Sequence, residues 1–586
     1  MPGINIIKSP YVNSKGLKAC EEFKSNFNED LPHINCQILY HNDDTILYET
    51  NYEYYDQKYQ ELEDWQISWE GIDHIDFVSI VKTLNIFTQQ EISGESLRRW
   101  RDSTFCNCTS GFFFLAHHPK TGTVVFANDD LARFPVYIYH NNCEFFIGRE
   151  YSLLRFFTKE IKPDKLLISL YLLFRYAPGH GSPFQEINTL ECSSIGIYTP
   201  KFDNLIILSD LKKRMPLEYY NGDKKTILND LGNIFIDATD KCLNGRPGLL
   251  ALSGGYDSRA VAAALFLTKK SFSAVTRSNA DGTTNKELKI AKRLSEEIGF
   301  SHKIVKLKPE NEQHFKILFS IKRGLNYFAE VDMINFLIEL IKEYGNYNTF
   351  LTGGGGEKIM KPLAPFNIKF NSNNIITYIL SKHCWLFNNQ ISATIFNIDL
   401  DAIKEYLYNL LNIYPVDNWN DKYRYFVLNE IGNRWYKESE DRNRYYYPSN
   451  TPFYNRDFYK LALSIPDTWK KNNIFYWEFL SNLCPEFCNV PIAAEFISHK
   501  SSIYQFSQSI INILRNYKYF QNIGVKVLKI NPNEFSTKNF LIERIIKFTD
   551  NDLIKDIEPD INYLNKLNKM QLYNLYNTLS IITNNY

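Results

Sequence analysis

Residues Leu249–Leu265, LLALSGGYDSRAVAAAL, decide how the rest of the chain is read. An apolar run of strand length ends in Ser253-Gly254-Gly255, and a run of small helix-forming residues follows at once. The two glycines allow a turn tight enough for amide N–H groups to face a phosphate, and the helix behind them adds its positive end. Ser253 and Ser258 place hydroxyl donors at the same mouth. Asp257 sets a carboxylate where phosphate oxygens belong, which is repulsive unless a cation lies between, so the pattern points to a bridging Mg²⁺. Arg259 adds a local positive charge whose direction is not legible. The bland alternative makes SGG a plain turn with Asp257 as a helix cap.

On the N-terminal side of this loop, Ile227, Leu228, Leu231, Ile234, Phe235 and Ala238 recur at helical spacing. On its C-terminal side the sequence predicts a strand in SFSAVTRS, a helix over Lys286 to Ile298, a strand at His302 to Leu307, a helix around Ala329 to Tyr344 and a strand at Thr349 to Thr352. Strands alternating with helices argue for a doubly wound parallel sheet in an α/β domain, with ligands at the carboxyl ends of its strands. A second glycine loop, FLTGGGGEKI from Phe350 to Ile359, falls at such an end. Four consecutive glycines carry a heavy entropic cost and fit where something approaches the backbone closely; a floppy connector is the alternative. The absence of GxxxxGK[ST] speaks against a site built for γ-phosphoryl transfer.

From about residue 35 to 210 the chain reads as short β segments, among them GFFFLAHHP, KTGTVVFAND, FPVYIYHNN and CEFFIGRE. The organisation expected is therefore a sheet-rich domain over 1–220 and the α/β domain over 221–586, with a mostly helical, aromatic region beyond Asn371. A length of 586 residues supports two large domains, or three. Lys plus Arg equals Asp plus Glu, 66 against 66, so no summed positive field draws the molecule onto nucleic acid or a membrane. Neither a signal peptide nor an apolar run of about 18 residues is found, and a cytoplasmic protein is expected. The close pairs Cys106/Cys108 and Cys484/Cys488 lack the partners of a zinc site. His117 and His118, beside Pro119, read as structural or exposed.

SGGYDS resembles the pyrophosphatase loop of enzymes that attack the α-phosphate of ATP and release pyrophosphate. Four ordered stretches resemble the asparagine synthetase family in particular. The run Phe112–Phe157 is similar to the late part of its glutamine-amidotransferase (Ntn-hydrolase-like) front domain, with Asp129, Arg133, Pro135, Glu150 and Leu153 or Leu154 at matching positions. SGGYDSR followed by TNKELKIAKRLSEEIG, then TGGGGEK, then TPFYNRDFYKLALSIP, match the rear domain's SGGxDS loop and helix, SGxGxDE and PFLD segments. The resemblance implies an AMP-forming amide ligase that uses ATP and Mg²⁺. Leu252, Val275, Thr352 and Gly353 would line the adenosine pocket, Ser253, Gly254, Gly255, Asp257 and Ser258 would hold pyrophosphate, and Asp257 and Glu357 would bind Mg²⁺. Glu357 and a basic residue after the Ile-Pro would take part in catalysis, with Lys500 as the candidate and Lys470 or Lys471 as substitutes.

The chain departs from the family in three places. It opens Met1-Pro2-Gly3 without the N-terminal nucleophilic Cys, so glutamine hydrolysis is not expected. Lys358 stands where the family has a second acid, and Asn455 where it has the Asp of PFLD. Three readings follow in order: a ligase joining a small-molecule carboxylate to ammonia or another amine, a peptide-modifying macrolactam or β-lactam-type synthetase, and an inactive nucleotide-binding relative. The identity of the substrates and the assembly, with a homodimer as one option, are not written in the sequence.

Overall fold

Period-two alternation decides where the front strands lie. In the strand Phe112–His118, Phe112, Phe114 and Ala116 join one apolar cluster while Phe113 and Leu115 join another, so an unbroken apolar run is buried on both faces. The computed structural model describes residues 2–88, 93–158, 161–216, 218–278, 286–384, 386–492, 538, 540–546, 564 and 567–583. In chain order the front strands are β1 (Gly3–Lys8), β2 (Asn35–His41), β3 (Thr45–Asn51), β4 (Gln57–Leu62), β5 (Trp65–Gly71), β6 (Phe112–His118), β7 (Thr123–Asn128), β8 (Tyr137–Asn141), β9 (Glu144–Gly148), β10 (Ile187–Thr189), β11 (Ile195–Thr199) and β12 (Asn204–Leu208). They form two antiparallel six-stranded sheets, ordered β10-β8-β9-β1-β3-β2 and β12-β11-β7-β6-β5-β4. Ile4, Ile6 and Leu47 of the first sheet share a cluster with Phe113, Leu115, Val124 and Phe126 of the second, which stacks the sheets face to face. Helices Phe77–Leu84 and Gly94–Thr104 cover the second sheet's outer face through Ile80, Leu84, Leu97 and Trp100.

The rear strands β13 (Gly248–Ala251), β14 (Phe272–Ser278), β15 (His302–Lys306), β16 (Thr349–Leu351) and β17 (Ser449–Asn450) form one parallel sheet ordered β15-β14-β13-β16-β17. The strands and helices expected around the first glycine loop are present, the last helix starting at Val331 after a short turn over Phe328–Glu330. The chain leaves β13 toward β14 on one side and returns to β16 on the other. Leu250 of β13 pairs with Leu351 of β16, so both glycine loops emerge side by side at the point where strand order reverses.

Front and rear are closely joined. The largest apolar cluster runs from Phe23, Tyr151 and Leu170 to Phe315, Leu337 and Tyr576. A dry ion network spans the same seam: Arg149 reaches Glu70 and Asp441, each at 2.7 Å, and Lys322 reaches Asp441 at 2.9 Å and Glu438 at 2.5 Å. Arg133 pairs with Glu440. The C-terminal helix Lys569–Thr583 bridges the two regions, because Asn574 donates to the carbonyl of Leu172 (2.6 Å) and Asn577 to that of Gly324 (2.8 Å). No helix among the described residues is long and apolar enough to cross a membrane.

Candidate functional site

The first loop is held closed by its own serines. The Ser258 hydroxyl accepts the Ser253 N–H at 2.9 Å and lies 2.9 Å from the Ser253 hydroxyl, which in turn accepts the Gly255 N–H at 3.3 Å. Gly255 is the N-cap of the helix Tyr256–Thr268 and no side chain caps that end, so the bland reading of Asp257 as a cap does not apply. Asp257 instead faces the second loop. Its Oδ2 accepts the Glu357 N–H at 3.1 Å and its Oδ1 accepts the Tyr476 hydroxyl at 2.7 Å.

The four glycines have distinct reasons. A Cβ on Gly353 would lie 2.6 Å from the Ser258 nitrogen and 2.7 Å from the Asp257 Cβ, and one on Gly356 would lie 2.7 Å from the Asp257 Oδ1. Gly355 has φ +92° and its Cβ would meet the Tyr454 ring at 2.4 Å. What approaches this backbone closely is thus the first loop and Tyr454. Around Gly354 the turn is tied by its N–H to Thr352 Oγ1 (3.3 Å) and by its carbonyl to the Thr451 hydroxyl (3.0 Å).

Glu357 is half-buried and accepts the Tyr436 hydroxyl at 2.8 Å and the Lys358 ammonium at 2.7 Å. The two loop carboxylates are shifted in opposite directions. Burial pushes Asp257 up to about 6, with the Glu357 charge adding to the shift and the Tyr476 hydroxyl and Lys361 opposing it. Burial also opposes ionisation of Glu357, but Lys358, the Tyr436 hydroxyl and Lys361 outweigh it and hold Glu357 below its ordinary value.

The other candidate residues sort as follows. Leu252 donates its N–H to the Val275 carbonyl at 2.9 Å, and both side chains are buried in the core, which leaves only their backbone and the strand ends to meet a ligand. Arg259 turns away from the loop, donating to the carbonyls of Phe487 (3.0 Å), Val490 (2.5 Å) and Pro491 (3.0 Å). Its charge serves the Phe487–Pro491 segment. Lys470 is buried and donates to the Ile359 carbonyl at 2.8 Å, closing the short helix Gly356–Ile359, while burial lowers its pKa to about 8. Lys471 lies over the Phe366 ring. Lys500 lies outside the described residues. Asn455 caps the helix Arg456–Ser464, its Oδ1 accepting the N–H groups of Asp457 and Phe458; an Asn fills that role as well as an Asp. His117 is buried against Gln66, a structural setting.

Three tyrosines escaped the sequence reading. Tyr476 holds Asp257, Tyr436 holds Glu357, and Tyr454 packs on Gly355. Tyr476 also stacks on Tyr256 with ring centroids 5.0 Å apart. Tyr436 and Tyr476 lie in helical stretches with no motif, Tyr454 lies within the TPFYNRDFYKLALSIP stretch without being singled out, and in a chain holding 39 tyrosines the residue type alone carries no signal. Comparison of the chain with protein-family models and with curated proteins gives no match.

Proposed function

We propose that the protein is an ATP-dependent amide-bond-forming ligase of the asparagine synthetase type, with the front sheets as its glutamine-amidotransferase-like domain and the rear sheet as a doubly wound pyrophosphatase domain. The observation that carries the reading is the convergence of the two glycine loops, with the Glu357 N–H on Asp257 and Gly353 against Ser258. In this reading a substrate carboxylate displaces pyrophosphate from ATP, giving an acyl-adenylate, and ammonia or another amine then displaces AMP to form the amide. In this reading the helix end behind Gly255, which no side chain caps, attracts the leaving pyrophosphate. Asp257 and Glu357 fit a Mg²⁺ ion of the kind that rests on one or two carboxylates plus substrate phosphates, since Asp257 is a half-buried acid with no ion pair of its own among the described residues. Bound there, Mg²⁺ would neutralise charge building on the leaving group.

The test is ATP–pyrophosphate exchange across a panel of carboxylates, with Asp257→Ala beside the wild type. Carboxylate-dependent exchange that is lost in the variant, with AMP as by-product, is expected. Exchange unaffected by the substitution removes the metal assignment, and no exchange with any carboxylate removes the ligase. A second reading, a nucleotide-binding relative without turnover, is favoured by one observation: the Lys358 ammonium lies on the carboxylate that Mg²⁺ needs.

A further inference from the structure

Arg155 and Arg323 are buried, at 2% and 9% exposure, and neither guanidinium meets a carboxylate among the described residues. The helix Tyr151–Phe157 brings them together. Ser152 and Arg155 stand one turn apart on it, the Ser152 hydroxyl accepts Arg323 Nε at 2.8 Å, and Arg155 Nη1 donates to the Thr158 carbonyl at 3.2 Å. Those are the only hydrogen bonds the two guanidiniums make with described residues, which leaves most of their donors unused; Arg155 Nε is enclosed and has no partner among them. Their flat faces rest on aromatic rings, Arg155 3.5 Å from the centre of Phe184 and Arg323 4.5 Å from that of Phe156. Arg323 also ends the helix Glu312–Lys322 in the left-handed region, φ +45°, so a long cation is kept where glycine fits best.

Two like charges near one another and out of water are costly unless an anion joins them. At the same seam Arg149 has Glu70 and Asp441, and Lys322 has Asp441 and Glu438. Arg155 and Arg323 have a carbonyl, a hydroxyl and ring faces, none of which carries charge, and the Tyr151 hydroxyl, buried without a partner among the described residues, is neutral too. Water would add hydrogen bonds there but not the missing charge. A tetrahedral oxyanion supplies both, because guanidinium forks match its edges and two cations match a dianion. We infer that Arg155 and Arg323 form a binding site for a phosphate group between the front helix Tyr151–Phe157 and the rear helix Glu312–Lys322, apart from the glycine loops. Phe156 and Thr158, which meet the two guanidiniums, also line an open groove of about 710 Å³, which gives the group a way in. Lys15, Lys18 and Lys162 in that groove are matched by Glu22, Glu144 and Glu186, so its mixed charge serves as the approach and the buried pair as the seat. Burial together with the Arg155 charge lowers the Arg323 pKa to about 10, and burial lowers that of Arg155, the direction of cations without counter-charge.

The full chain is unfolded by heat at constant ionic strength, with potassium chloride exchanged for millimolar inorganic phosphate or β-glycerophosphate, and a crystal is soaked in sodium tungstate, whose tetrahedral oxyanion scatters anomalously. The wild-type midpoint is expected to rise and saturate with phosphate, as mass action on the folded state requires. Arg323→Met and Arg155→Met are expected to lose that rise, although both leave the glycine loops intact, and a tungsten peak is expected within hydrogen-bond reach of both guanidiniums. A larger rise with the ester identifies an organic phosphate as the ligand, and a larger rise with inorganic phosphate identifies the free ion. No rise in the wild type, or either variant keeping the full response, would overturn the site. Should the variants fail to fold, the tungstate map decides alone: no peak, or a carboxylate of the chain itself seated between the two guanidiniums, overturns it.

Discussion

Asp441 at the seam and Asp257 at the mouth of the parallel sheet are carboxylates in opposite settings, the first fully buried and the second half-buried. Asp441 has no exposed surface and is flanked by Arg149, Lys322 and Arg444, which hold its carboxyl well below the usual range despite burial. Asp257 has a hydroxyl and one N–H, with Glu357 nearby, and burial drives it up. A cluster built for architecture saturates its charges. At the loops a carboxylate is left without an ion pair among the described residues, as the proposed Mg²⁺ site requires.

The largest expected effect is at the joint. Asp441→Ala leaves Arg149 and Lys322 short of their shared partner in a dry setting, and a loss of about 3–5 kcal/mol is expected in urea unfolding. A loss under about 1 kcal/mol would remove the contrast between the two regions.

Asp257→Asn should do the reverse. Exchange activity is expected to fall at least about 100-fold, as when one fixed electrostatic contact is removed from a reacting site, while the metal-free protein becomes more stable. The sign follows from linkage: the folded pKa of about 6 lies above the ordinary 3.8, so the folded state binds more protons and stability falls as pH rises from 3.8 through 6. Unfolding in EDTA should therefore show the variant ahead of the wild type above pH 6, with the gain disappearing as pH falls toward 3.8. A variant less stable at every pH would place Asp257 with Asp441 among structural acids.

Tyr476→Phe sharpens the same contrast by a smaller step. It removes the hydroxyl that lowers the Asp257 pKa but keeps the ring stacked on Tyr256. The acid limb of the exchange pH profile should move to higher pH with little change in the plateau, whereas a merely structural Tyr476 would lower the plateau and leave the limb in place.

The parallel sheet was legible because its signals are local. Leu249–Leu265 carries strand, turn and helix within one window, and in the front region the short apolar run Phe112–Ala116, bounded by turn residues, is likewise a local strand signal. The loops' meeting was inferred only through strand order, and the charges around them were not legible at all. Arg259 reads as a cation for the loop because sequence neighbours are assumed to be partners, yet its guanidinium answers three carbonyls some 230 positions away. Tyr436 and Tyr476 are found by packing alone, which no periodicity encodes. The glycines were read as places where something approaches the backbone closely, and at 353 and 356 what approaches is Asp257, a partner that the sequence does not name.

The smallest effect concerns Lys358, which decides how open the site is to a cation. Its side chain is 22% exposed and its partner Glu357 is 39% exposed, so water already screens the pair, and contacts of this sort contribute about 0–1 kcal/mol. Lys358→Met takes the ammonium off Glu357 Oε1, which keeps the Tyr436 hydroxyl, and so removes the cation that a divalent ion must displace. The Mg²⁺ concentration giving half-maximal exchange should fall about 2- to 5-fold, with the maximal rate altered less, because a difference of up to about 1 kcal/mol is worth no more than that. If the variant needs more Mg²⁺ than the wild type, Lys358 helps to hold the anionic ligand instead of obstructing the cation. Glu357 would then belong with Asp441, as an acid already provided with its counter-charge.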